Sequence, residues 1–138
     1  MTIEELNELI IYTNKEFKEY CYGKICDNNH CMLSKIKNDN FSANCAIIYA
    51  AFRLDTIDKI HEYDHKMYDY CREDLPCDRC GIKKYKDTYL RNNKEYVNCN
   101  IVYCIMYECN MLSLLEEWLY ETSTWTILWI TWHFNRML

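Results

Sequence analysis

The chain has 138 residues, ten of them cysteine, with only two glycines, one proline and a formal net charge of −5. Half of its residues are hydrophobic and 15% are aromatic, which excludes a disordered segment. The acidic balance argues against a general nucleic-acid-binding surface, and the scarcity of glycine and proline against a tight-turned β-barrel or a glycine-rich phosphate loop. A chain of this length is expected to form one domain, residues 1–138, with a core large enough to stand without staples. The expected class is mostly α, a compact bundle of four or five helices with a cysteine-rich, zinc-stabilised loop.

In chain order, Thr2 and Glu5 make a capping box, and Ile3, Leu6, Ile10 and Phe17 recur at helical spacing. They predict a first helix from about Ile3 to about Tyr20, ending near Gly23. Residues Cys21 to Asn40 carry Gly23, Asp27, Asn28, Asn29, Asn38 and Asp39 and read mostly as loop. Ser42 is expected to cap a second helix from about Ala43 to about Tyr70, burying Cys45, Ile48, Phe52, Ile57 and Ile60, with Asp55 to Asp58 the place for an interruption. Pro76 forces Leu75 out of helical geometry. A third helix is predicted from about Ile82 to Asn92. A fourth follows from about Glu95 to Tyr120, turning Val102, Ile105, Met106, Leu112 and Leu115 inward. Ser123 or Thr124 caps a last segment in which Trp125, Trp129 and Trp132 form a helical stripe, against a competing strand alternation of Trp125, Ile127 and Trp129.

The stretch Ile101 to Leu115 is interrupted by Glu108 and Asn110, and Trp125 to Phe134 falls short of the roughly 20 apolar residues a membrane helix takes. No membrane association is expected. The N-terminus has no basic cap or apolar run, so no secretory signal is read. In a reducing compartment, clustered cysteines bind metal or pack as small apolar groups.

Cys77-Asp78-Arg79-Cys80, between Pro76 and Gly81, has the spacing of half a zinc knuckle. Two thiolates two residues apart reach one zinc when the chain turns sharply, and structural zinc takes four sulfur or nitrogen ligands. Candidates to complete the site are Cys71, the i, i+4 pair His61 and His65, Cys45, and the Cys99–Cys104 pair. Cys26, His30 and Cys31, with Cys21, are candidates for a second metal. Cys99, Cys104 and Cys109 advance by five residues, a rotation of about 140° on a helix. They therefore read as packing residues, one of them left open to complete the knuckle. An echo pairs Lys18-Glu19-Tyr20-Cys21 and its C-x4-C-x4-C run with Lys94-Glu95-Tyr96 before Cys99, Cys104 and Cys109. It reads either as a duplicated unit or as compositional bias.

Lys83, Lys84, Lys86, Arg91 and Lys94, with Tyr85 and Tyr89 between them, form a basic stretch. It suits either a solvated helix face or a nucleic-acid contact. Trp118, Trp125, Trp129 and Trp132 suit a core or, where exposed, anchors for a protein partner. His133 sits among apolar residues, no nucleophile has a base at fixed spacing, and no enzyme activity is expected.

The region from Cys45 to about Arg91 resembles the small accessory nonstructural proteins of parvoviruses, namely the nuclear phosphoprotein of bocaparvoviruses and the third nonstructural protein of densoviruses. The residues that carry it are Asn44-Cys45-Ala46, Arg53, Met67-Tyr68, Arg72, Cys77-Asp78-Arg79-Cys80, Asp87-Thr88-Tyr89 and Arg91, while Ala50 stands where the family has a histidine. The resemblance implies a non-enzymatic helper of viral DNA replication or RNA processing, with Cys45, Cys77 and Cys80 as metal ligands. The order Pro76-Cys77-x-x-Cys80, a basic stretch, a cysteine cluster and a Trp-rich end is also similar to the unique region of polyomavirus small t antigens. That likeness implies two zincs and a host phosphatase as partner. The expectation is an intracellular viral accessory protein, in the host nucleus or cytoplasm, binding a host or viral protein and structurally stabilised by zinc. The alternatives are a host-protein antagonist or immune modulator, and a thiol-dependent enzyme.

Overall fold

The capping box forms as its spacing predicts. The Thr2 hydroxyl accepts from the Glu5 backbone N–H at 3.1 Å, and the Glu5 carboxylate accepts from the Thr2 N–H at 3.4 Å. It opens α1 (Ile3–Cys21), which buries Leu6, Ile10, Thr13 and Asn14. The computed structural model describes residues 1–40, 43–72, 77, 80–91 and 96–115. Among these, α1 is followed by α2 (Met32–Asn40), α3 (Cys45–Arg53), a 3-10 turn (Ile57–Lys59), α4 (Ile60–Arg72), α5 (Gly81–Tyr89) and α6 (Cys99–Glu108). No strand occurs among the described residues. Ser42, Pro76, Lys94, His133 and the tryptophan-rich end lie outside them.

The helices are shorter and more numerous than the sequence predicts. The expected loop from Cys21 to Asn40 contains α2, which buries Leu33 and Ser34 beside Cys31. Its asparagines and aspartates hide an ordinary i, i+3 apolar pair, Leu33 and Ile36. The expected second helix is divided into α3 and α4. Its cap is Asn44, whose side chain accepts from the Ala46 N–H at 2.8 Å. At its break, Thr56 N–H reaches back to Ala51 C=O at 2.8 Å and Asp55 N–H to Phe52 C=O at 3.2 Å. That paired closure needs a left-handed residue, and Asp55 supplies it at φ 57°. Phe52 and Ile57, expected inside, are consequently exposed where the chain turns away. The expected fourth helix is closed in the same manner. Met111 N–H bonds Met106 C=O at 2.8 Å and Asn110 N–H bonds Tyr107 C=O at 3.2 Å, with Asn110 at φ 56°.

The two sets of three helices repeat one arrangement. α3 and α6 pack on each other at the centre; α1 packs on both and so does α4, while α2 lies on α3 and α5 on α6. The central helices open on matching segments, Asn44-Cys45-Ala46-Ile47-Ile48-Tyr49 and Asn98-Cys99-Asn100-Ile101-Val102-Tyr103. Asn98 caps α6 by accepting from Asn100 N–H at 2.8 Å, as Asn44 caps α3. Tyr20 of α1 meets Tyr49 of α3 at 6.1 Å between ring centroids and 43° between planes; Tyr70 of α4 meets Tyr103 of α6 at 5.3 Å and 44°. The register of this repeat differs from the echo read in the sequence: Cys21 corresponds to Cys71, and Cys45 to Cys99. The physical reason is that Cys99, Cys104 and Cys109 share α6 and its cap, whereas Cys21, Cys26 and Cys31 span a loop.

Ile47 and Ile48 of α3 and Ile101, Val102 and Ile105 of α6 are buried. Each such side chain contributes about 1.5–3 kcal/mol relative to exposure.

Candidate metal centre

Cys71 lies in the last turn of α4, Cys77 in the connector that follows, Cys80 at the N-cap of α5 and Cys99 at the first position of α6. Cys71 and Cys77 are exposed; Cys80 and Cys99 are half-buried against the main core. Burial pushes the Cys71 thiol up, and the neighbouring thiols of Cys80, Cys99 and Cys77 push it further. Each of these three thiols therefore lies within electrostatic reach of Cys71. Of the completing ligands expected from the sequence, Cys71 and Cys99 lie at helix ends in the same half of the chain as Cys77 and Cys80, and Cys71 senses the other three thiols.

A cation stands beside one of these thiols. Lys86 Nζ lies 3.6 Å from Cys99 Sγ and 4.2 Å from the centroid of the Tyr96 ring. The charge of Cys99 is the largest cause raising the Tyr96 hydroxyl, followed by burial. Gly81, just after Cys80, is there because nothing larger fits: a Cβ would meet Tyr70 Oη at 2.7 Å and the Leu115 carbonyl oxygen at 3.1 Å. The buried Tyr70 hydroxyl has no hydrogen-bond partner, although it faces the backbone N–H groups of Gly81 and Ile82 at the start of α5.

Among the described residues, no three His, Cys, Asp or Glu side chains are drawn together tightly enough to hold a metal ion as they stand. The thiols are gathered but not closed. Four sulfur donors are a zinc set, with bonds of about 2.3 Å.

The remaining candidates are placed elsewhere. His61 and His65 are exposed on α4, and His65 Nε2 lies 3.3 Å from Asp69 Oδ2. Cys45 is grouped with Cys21, Cys26 and Cys31: burial raises the Cys21 thiol first, then Cys31, Cys45 and Cys26. His30, expected beside Cys26 and Cys31, is exposed, with Nδ1 2.7 Å from Asp27 Oδ1. Cys104 is fully buried, its thiol pushed up to about 12 by that burial and then by Asp64. It is a packing residue, as its neighbours in the sequence imply.

Two features bear on the other expectations. In the basic stretch, Lys83 is paired with Asp87 at 2.8 Å and Lys86 is turned onto Cys99 and Tyr96. A polar cleft of about 540 Å³ is lined by Lys59, Glu62, Tyr107 and Glu108. Lys59 Nζ donates to Glu108 Oε2 at 3.0 Å and the Tyr63 hydroxyl donates to the same oxygen at 2.8 Å. The Tyr63 bond foremost, with Lys59, holds the Glu108 carboxyl below its ordinary value against partial burial. Burial foremost pushes the Tyr63 hydroxyl up. This network joins residues 45 and 49 positions apart, so no local motif signals it. It keeps an anion neutralised and offers no base near neutrality.

Among the described residues no helix is long and apolar enough to cross a membrane. Compared with known proteins, the chain matches no family model, no curated protein and no solved structure.

Proposed function

We propose that this chain is a non-enzymatic accessory protein, folded around a structural zinc held by Cys71, Cys77, Cys80 and Cys99, that acts by binding a protein partner. The observation that carries the reading is the placement of Cys71, Cys80 and Cys99 at the meeting ends of α4, α5 and α6, with Cys77 in the connector and Lys86 against Cys99. A metal there would tie three helix ends together, so its binding free energy would become folding free energy. The surface ion pair of Lys83 with Asp87 and the contact of Lys86 with Cys99 lessen the free positive charge of this stretch and favour a protein over a nucleic acid as the partner. The residues similar to parvoviral accessory proteins, Met67-Tyr68 and Cys77-Asp78-Arg79-Cys80, support placing that partner in an infected cell.

Elemental analysis of the chain purified without chelators tests the reading. Bound zinc is expected, with a lower content in Cys77→Ser together with a large fall in thermal midpoint. Equal zinc content and equal midpoints in the two proteins would overturn it.

A further inference from the structure

We infer that Cys21, Cys26, Cys31 and Cys45 form a second zinc site, an all-thiolate site belonging to the first three helices as Cys71, Cys77, Cys80 and Cys99 belong to the last three.

Placement is the first argument. Cys21 ends α1, Cys26 lies in the connector, Cys31 directly precedes α2 and Cys45 opens α3. Those are the stations of Cys71, Cys77, Cys80 and Cys99 along α4, α5 and α6. Surroundings repeat with position. Tyr20, next to Cys21, meets Tyr49 as Tyr70, next to Cys71, meets Tyr103. Lys37, six residues after Cys31, acts on Cys45; Lys86, six residues after Cys80, lies against Cys99.

The second argument needs no comparison between the halves. Cys31 is buried and Cys45 half-buried in one cluster with Leu33 and Ala43, and the Cys21 thiol senses Cys31, Cys45 and Cys26 together. The connector between Cys21 and Cys31 has almost nothing else to hold it. Tyr22 is 89% and Ile25 61% exposed. Its order rests on a local turn in which Asp27 Oδ1 accepts from the Asn29 and His30 N–H groups at 3.0 and 2.9 Å, and on Asn38 Nδ2 donating to Asn28 Oδ1 at 2.7 Å. A metal ion held by its three cysteines and Cys45 would cross-link this segment without needing further apolar surface. Asp27 holds His30 away from this role.

Binding converts four thiols to four Zn–S bonds and releases four protons to solvent, leaving the site with two net negative charges. Lys24, which acts on Cys21, and Lys37, which acts on Cys45, offset them. The comparison of the halves rests on the zinc reading of the later cysteines; the grouping of these four does not.

Native mass spectrometry of the reduced full chain titrated with zinc, with cobalt as the absorbing substitute, is the test. Two metals per chain are expected, with cobalt spectra of two tetrahedral thiolate sites. Cys26→Ser and Cys77→Ser are each expected to retain one metal, and His30→Ala both. One metal lost in Cys77→Ser but kept in Cys26→Ser would overturn the second site and leave the proposed function standing. One metal with the reverse pattern would support the second site and overturn the reading at Cys77. No metal in the wild type would overturn both. Should a variant fail to fold, alkylation mapping of the zinc-loaded wild type decides: protection of Cys21, Cys26, Cys31 and Cys45 supports the site, and free labelling of exposed Cys26 overturns it.

Discussion

Lys86 Nζ stands 3.6 Å from Cys99 Sγ, across the junction of α5 and α6. A cation beside a thiol favours its thiolate, the form that binds metal, and groups around a metal's ligands commonly contribute 10–100-fold in affinity. Lys86→Met is expected to weaken zinc binding by about 10-fold while leaving the metal-free melting temperature almost unchanged. Competition with a chromophoric chelator measures the first and a thermal melt in EDTA the second. Unchanged affinity would mean that the ammonium does not serve the metal.

The start of α5 is pressed onto α4 at Gly81, where an added Cβ would lie 2.7 Å from Tyr70 Oη. Gly81→Ala is expected to destabilise the protein by about 1–3 kcal/mol, the usual cost of overpacking. Tyr70→Phe removes the atom that is struck, and the hydroxyl it deletes has no hydrogen-bond partner. Tyr70→Phe alone is therefore expected to be near neutral, and the double variant more stable than Gly81→Ala. Urea unfolding of the four proteins completes the cycle; additive effects would show that the hydroxyl is not the obstacle.

Thiol reactivity separates ligands from packing residues. In the metal-free chain, exposed Cys26 and Cys77 are expected to alkylate early at neutral pH. Cys104, fully buried and with its thiol pushed up to about 12, is expected to react only on unfolding, because the thiolate is the nucleophile. Mass mapping over time gives the order. Early labelling of Cys104 would mean that α6 opens readily.

Glu108 links the end of α6 to Lys59 and Tyr63. Its pKa is lowered in the fold, so its contribution to stability is fully present above the ordinary glutamate value of about 4.3 and is lost as pH falls through the lower folded value. Glu108→Gln is expected to be less stable than wild type at neutral pH, the gap closing as pH falls below 4. Chemical denaturation at pH 7 and at pH 3 checks the sign; a gap that widens in acid would contradict it.

Much of the fold follows from local chemistry. The capping box at Thr2 and the Leu6–Ile10 spacing place α1 within a residue, and the lack of glycine anticipates helices. Asp55 and Asn110 end helices that the apolar pattern alone would prolong. Both adopt left-handed backbone without being glycine, because the returning hydrogen bonds beyond them repay the strain. The Cys77–Cys80 pair identifies itself by spacing. Cys99 does not, since its neighbours Ile101 and Val102 make it resemble a core residue.

The repeat was hidden for a related reason. The first half spaces its cysteines as C-x4-C-x4-C-x13-C and the second as C-x5-C-x2-C-x18-C. Connector length is free to vary as long as the helix ends meet, so a fixed-period comparison pairs the wrong cysteines.

By itself the sequence determined that the chain is helical and where α1 begins. Those properties depend on neighbours a few positions apart, through capping and apolar period. Only the tertiary structure decided which cysteines meet. Cys71 comes within electrostatic reach of Cys99, and Cys21 of Cys45, because α4 packs on α6 and α1 on α3, and no spacing along the chain encodes that approach.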